Sequence, residues 1–265
     1  LPESLEELGI SAFDRCRMLS GSLTIPSNLN VIKSCCFLGC GFTGDLTIPE
    51  GVIGIESNAF DGCSNFKGQL TLPYSLKEIG IQAFYRCGFQ GELCIPNQLQ
   101  IIPQNCFGEN NFSSIIFSEN SEILKIDDDA FGSNHRLSEP IILPKELISL
   151  GGRAFVNCRM LPQVIIPATT ATIGEYAFSD CYSLSSLTCE ATLPPTLGTG
   201  VFNGVAKDNF TLEVPEQSVA RYQTQPGWSD FRRISAHHDF SISRPLLRTL
   251  NASYSKTYTL RAPAN

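Results

Sequence analysis

The chain has 265 residues, a net charge of −7 at pH 7 and a pI near 5.0. Phosphate binding needs a concentrated surplus of Lys and Arg, so this balance excludes nucleic acid as a partner, and an acidic surface also avoids anionic lipid. No apolar run approaches the roughly 20 residues of a membrane helix, so the sequence predicts no membrane span.

Taken in order, the chain opens at Leu1-Pro2-Glu3-Ser4-Leu5, in the middle of a unit and with no basic-then-apolar leader, which reads as an excerpt of a longer protein. Residues 1–22 carry no strand pattern of their own, so the strand expected at Leu23-Thr24-Ile25 begins the array with an unpaired edge. The repeating unit is clearest at residues 46–66: Leu46-Thr47-Ile48-Pro49, then Val52, Ile55, Ala59-Phe60, Cys63 and Phe66. Its Phe recurs at Phe13, Phe37, Phe60, Phe84, Phe107, Phe131, Phe155, Phe178 and Phe202, in steps of 23 or 24 residues. A fixed period of this length predicts a repeat solenoid, whose core lies between neighbouring coils.

Each place in the unit has a physical task. Leu46 and Ile48 alternate with Thr47, so the first two point inward and Thr47 outward from a short strand. Pro49 ends that strand because it has no N–H for a continued ladder. Val52 and Ile55 begin a return path, and Ala59 is small enough for Phe60 to lie across the interior. Three residues after the Phe stand Cys16, Cys40, Cys63, Cys87, Cys158 and Cys181, replaced in two coils by Asn110 and Asn134. A turn place that accepts Cys or Asn predicts an internal ladder of hydrogen-bonding side chains. Parallel strands stack about 4.8 Å apart, which exceeds the roughly 3.8 Å between Cβ atoms of a disulfide, so mostly free, buried thiols are expected.

Two departures occur mid-array. Ile115-Ile116-Phe117-Ser118 lacks the Pro, and Asp127-Asp128-Asp129 precedes Ala130-Phe131. An acidic triplet can bind calcium, but this one lacks the alternating oxygen ligands and turn Gly of such loops, and a solvated turn is the preferred reading. From residue 191 the unit changes. Leu212-Glu213-Val214-Pro215 reads as the last strand, Glu216–Tyr222 as a short helix with Ser218 as cap, and Tyr222, Trp228 and Phe231 as a lid over the open apolar end. Beyond His237-His238-Asp239, the alternating stretches 240–243 and 257–260 read as two further strands. The expected organisation is therefore a repeat array over 1–190, a terminal repeat and cap over 191–236, and a linker with the first strands of another module over 237–265.

Chemistry is scarce. None of the three histidines is placed to pair with a Cys or Ser. Cys36 and Cys40 are spaced like a metal half-site, but they occupy the Ala and ladder places of their coil, which explains both without a metal. No cofactor is called for. Binding is better supported: the outward strand positions form a column Thr24, Thr47, Thr71, Cys94, Ile116, Ile142, Ile165 and Thr188. Two readings of its three isoleucines stand, a contact patch flanked by Ser114 and Gln163, or β-branched residues that simply favour strands. Phe42, Phe66, Phe89 and Phe112 are expected in core or turn packing. Were they exposed, they would offer the aromatic platform of a sugar site.

The unit Leu46-Thr47-Ile48-Pro49, Ile55, Ala59-Phe60 and Cys63, with its echoes over residues 1–236, resembles the BspA-like (Treponema pallidum type) leucine-rich repeats of bacterial surface proteins. The ending from Val214-Pro215 through Tyr222, Gly227-Trp228 and Phe231 resembles the terminal unit of such proteins in Bacteroides and relatives, and the segment from residue 239 onward resembles the start of an immunoglobulin-like module. The resemblance implies a right-handed superhelix with short parallel strands on one face and short strands, turns or 3-10 segments on the other. It further implies an exported, often lipid-anchored surface protein that binds proteins or glycans, with host extracellular matrix as the usual proposed partner, and no shared catalytic residue. The sequence reading is therefore an adhesin-like protein-binding solenoid, with a spacer or glycan-binding element of a polysaccharide-capture protein as the alternative.

Overall fold

The computed structural model describes residues 1–237. The coils of the stack contribute short strands to two rows, with no strand at residues 70–72 of the first row, and all strand pairings within the rows are parallel. The first row runs through Leu23–Thr24, Leu46–Thr47, Gln90–Ile95, Asn111–Phe117, Ile141–Ile142, Gln163–Ile166, Ser186–Cys189, Thr211–Pro215 and Arg233–His237. The second runs through Val31–Ile32, Gly54–Ile55, Glu78–Ile79, Ile101–Ile102, Lys125–Ile126, Ser149–Leu150, Thr172–Ile173 and Thr196–Leu197. Short strands and turns thus form the return face, and the 3-10 segment among the described residues, Glu216–Ser218, sits at the cap.

A third ladder follows the Phe turns. Each Phe N–H donates to the carbonyl just before the next Phe, as in Phe60 to Ala83 (2.9 Å) and Phe107 to Ala130 (2.9 Å). The residues two before and two after every Phe hold positive φ, from Ser11 and Arg15 around Phe13 to Gly200 and Gly204 around Phe202. Their N–H groups also point to the next coil, as in Asn58 to Ile81 (2.9 Å) and Gly62 to Tyr85 (2.8 Å). Left-handed backbone costs a non-glycine residue about 1–2 kcal/mol, and here the inter-coil hydrogen bonds offset it.

Inside the coils, Phe13, Phe37, Phe60, Phe84, Phe107, Phe131, Phe155, Phe178 and Phe202 form one column of nearly parallel rings. Centroids are 5.1–5.9 Å apart and planes within 13°. The column is closed by Trp228, 5.8 Å from the Phe202 ring, whose indole N–H donates to Pro195 O (2.8 Å). Tyr222 is fully buried beneath the helix Val219–Thr224, and its hydroxyl donates to Ala191 O (2.8 Å). The lid expected over the open end is therefore present, with two corrections. Ser218 stands at the helix start, but its hydroxyl donates to Thr192 O (2.9 Å) and makes no cap hydrogen bond. Thr211–Pro215 is not the last strand either: Arg233–His237 pairs with it in register from Thr211↔Arg233 to Pro215↔His237, so His237 belongs to a strand and not to a linker. The strands expected at 240–243 and 257–260, and His238, lie outside the described residues.

Candidate binding surface

The inner ladder forms at the expected place. The thiols of Cys40, Cys63, Cys87, Cys158 and Cys181 donate to the Phe carbonyl of the preceding coil, at 2.9–3.5 Å. Asn110 and Asn134 make the same bond through Nδ2, to Phe84 O (2.8 Å) and Phe107 O (3.0 Å). All eleven cysteines are free thiols, and those of the ladder interior are buried. Burial pushes Cys36 up to about 11 and Cys181 up to about 12, and raises Cys87, Cys106 and Cys158 as well. Such thiols stay protonated at neutral pH and are poor nucleophiles. Cys36 and Cys40 occupy the Ala and ladder places, and no three His, Cys, Asp or Glu side chains converge on a metal-sized site among the described residues.

The acidic triplet is taken up locally. Asp127 meets Lys125 (2.6 Å), Asp128 Oδ1 accepts the Gly152 N–H (2.6 Å), and Asp129 pairs with Arg153 (3.2 Å). His135 lies exposed in its turn, and His237 Nε2 is 3.7 Å from Glu213 Oε2. None of these arrangements sets a base beside a nucleophile.

The first-row column assembles on one face, with Thr24 beside Thr47, Cys94 beside Ile116, and Ile142, Ile165, Thr188 and Glu213 in succession. Ser114 pairs with Glu92 and Gln163 with Ser186 along its flank. Exposure departs from expectation: Ile116 is 2% exposed, Ile165 8% and Ser114 7%, while Ile142 and Gln163 are half-buried. The cause is spacing. Branched side chains on rungs about 4.8 Å apart stand shoulder to shoulder and cover each other's flanks. Exposed aliphatic residues recur instead beside the second row, at Ile53, Ile101, Leu124 and Ile148, and the last two are adjacent through the Ile148 N–H to Leu124 O bond (2.9 Å). Their signal in the sequence is an aliphatic residue directly after the buried one that opens the return path, as in Val52-Ile53, Ile123-Leu124 and Leu147-Ile148. Phe42, Phe66, Phe89 and Phe112 are all buried, so they provide no sugar platform.

The sequence profile of the BspA type leucine rich repeat region matches in six copies, over residues 1–107, 32–141 and 124–219. The chain belongs to this family. As a BspA-type array it is of the leucine-rich repeat kind, whose families are generally non-catalytic. Solved structures similar to the BspA-type array include three from gut bacteria. A leucine-rich repeat protein of Bacteroides ovatus is 20% identical, with 87% of each chain covered and a TM-score of 0.40. One of Eubacterium ventriosum is 14% identical, covering 73% of this chain and 65% of that one, with a TM-score of 0.41. A leucine rich cell surface protein of Faecalibacterium prausnitzii is 20% identical, covering 68% of this chain and 62% of that one, with a TM-score of 0.35. The match thus spans less than two thirds of the latter two proteins. Among curated proteins no sequence matches the BspA-type array. No helix among its described residues is long and apolar enough to cross a membrane.

Proposed function

We propose that this array is a non-catalytic binding protein, exported and displayed at a bacterial cell surface, and that its partner is a protein engaged through the first-row face. The observation that carries this reading is the division of labour within each coil. Phe rings and the Cys/Asn ladder occupy the inward places, and the outward places repeat as ordered columns, of which Ile142 and Gln163 on the first row and Ile53, Ile101, Leu124 and Ile148 beside the second reach solvent. Repeat solenoids present extended binding surfaces of this kind. On the first-row face, Ile142 and Gln163 are the half-exposed members, with Ser114, Ile116 and Ile165 as the packed floor around them. In this reading residues 1–190 display the surface, and 191–236 close the stack.

The test is binding of the folded chain to a panel of extracellular-matrix proteins, the first candidates from the family resemblance, with Ile142→Glu and Leu124→Glu as paired variants. Loss in Ile142→Glu alone supports the first-row face. Loss in Leu124→Glu alone moves the contact to the second row, and silence across the panel with both variants folded makes this stretch a spacer.

A further inference from the structure

A second, separate surface stands at the corner just after the Cys/Asn ladder. The place one residue after the ladder residue carries Arg17, Gly41, Ser64, Gly88 and Asn111 in the first five coils, then His135, Arg159 and Tyr182 in three successive coils. These three planar groups are all exposed, Tyr182 by 56%. The turns that carry the last two are joined by the Ser183 N–H to Arg159 O bond (3.0 Å), and rungs of a parallel stack lie about 4.8 Å apart.

Each group is held in place by a neighbour and not left to sweep through solvent. Arg159 Nε donates to Asn157 Oδ1 (2.8 Å), which anchors one edge of the guanidinium. His135 Nδ1 lies 2.9 Å from the Asn157 carbonyl oxygen, and the Tyr182 hydroxyl donates to Asp180 Oδ1 (3.0 Å). Asn157, itself at positive φ, therefore orients two of the three. Fixing side chains before binding lowers the ordering cost of association. Arg136, exposed beside His135, adds a second guanidinium, and in a chain of net charge −7 this corner has two Arg against Asp180.

We propose that His135, Arg159 and Tyr182 form a contact platform for a carboxylate-bearing oligosaccharide. An exposed phenol ring offers its face to the C–H side of a sugar, the fixed Asn157 and Asp180 supply polar neighbours, and guanidinium groups pair with a sugar carboxylate. A protein partner fits less well, because protein hot spots centre on desolvated pockets, and the open end of this column is built from side chains that project from turns. The site is independent of the first-row face.

The probe is oligogalacturonate, with neutral oligogalactan and polyglutamate as comparisons, titrated calorimetrically against the whole chain. Oligogalacturonate should bind at least about tenfold more tightly than either, and Tyr182→Ala and Arg159→Ala should each weaken it about tenfold or more. Ile142→Glu should leave it unchanged. Both alanine variants alter exposed side chains, and unchanged thermal melting shows that they remain folded. No oligogalacturonate binding, or binding that survives both variants, overturns the proposal. Equal binding of polyglutamate also overturns it, by assigning the corner to acidic polypeptides, and equal binding of oligogalactan removes the role of the carboxylate.

Discussion

The Asn rungs and the Cys rungs occupy the same place in successive coils yet build different local structure. At Asn110, Nδ2 donates to Phe84 O, Phe107 O and Gly108 O (2.8–3.1 Å), while Oδ1 accepts the Phe89 N–H of the preceding coil (3.2 Å). Asn134 repeats the pattern, with Oδ1 accepting from Phe112 N–H (3.4 Å). The two coils whose strand starts are gripped in this way carry the longest strands of the first row, Gln90–Ile95 and Asn111–Phe117. The coil Cys40-Gly41-Phe42 has the same short connection but faces Cys63 in the next coil, and its strand is only Leu46–Thr47. An amide both donates and accepts strongly, whereas a thiol is a weak donor and a weak acceptor. The ladder residue therefore sets how far back towards the turn the sheet extends, and it does so from the neighbouring coil.

The comparison can be broken at several points. The largest effect is expected from the ring column, which is common to both regions: Phe60→Ala in the Cys region and Phe107→Ala in the Asn region should each cost about 3–5 kcal/mol in denaturant melts. A much smaller cost for Phe107→Ala would mean that Asn rungs hold the coil without the ring. Next come the rungs themselves. Asn110→Ala strands the buried Phe84 carbonyl and the Phe89 N–H, while Phe107 O and Gly108 O keep their bonds from Asn134 Nδ2 and the Arg86 N–H, and it should cost about 3 kcal/mol and speed amide exchange at Phe89. Cys63→Ala should cost about 1 kcal/mol, and equal costs would erase the difference between amide and thiol rungs.

Alkaline pH tests the thiol side of the ladder. Unfolded thiols ionise near pH 8.5, whereas burial keeps Cys36 protonated up to about 11 and Cys181 up to about 12. Below pH 8 both states hold the same protons. As pH rises further, the unfolded chain releases protons that the folded chain retains, so stability falls between about pH 9 and 11. Melting temperature should be level from pH 7 to 8 and decline above 9, whereas a flat profile to pH 11 would show that the buried thiols do not resist ionisation. The smallest effect belongs to the surface. Arg153→Ala removes a partly exposed pair with Asp129 and should change stability by less than about 1 kcal/mol.

Much of the interior was legible because the period writes it directly. The Phe column, the small Ala beside it, the Cys/Asn place and the Trp228 lid all follow from residue type and spacing. Exposure of the outward column was not legible, since the flanking rung and not the residue itself covers Ile116 and Ile165. The paired left-handed positions were hidden for another reason. Gly, Asn and Asp fill only some of them, as at Gly39, Asn58 and Asp180, while Ser11, Arg15, Gln82 and Arg86 have no preference for positive φ and take it because the ladder between coils imposes it. Arg233–His237 escaped because its alternation, Arg-Ile-Ser-Ala-His, is short and has Ile234 as its one strong strand former, and it is the open edge of Thr211–Pro215 that recruits it. The His135–Arg159–Tyr182 column was also obscured: three unlike residues share a place only once the coils are stacked.

The three ladders have a mechanical consequence. Their hydrogen bonds run from coil to coil, along the axis of the stack, so a pull between its two ends loads each coil boundary in opening and not in shear. Coils should then peel singly, each releasing about 23–24 residues, or roughly 80 Å of extended chain. The Trp228 lid, which ties a terminal ring to Pro195 through a separate bond, acts as the latch at one end. Held between two anchors, such an array lengthens in steps and limits the peak load that reaches whatever it grips.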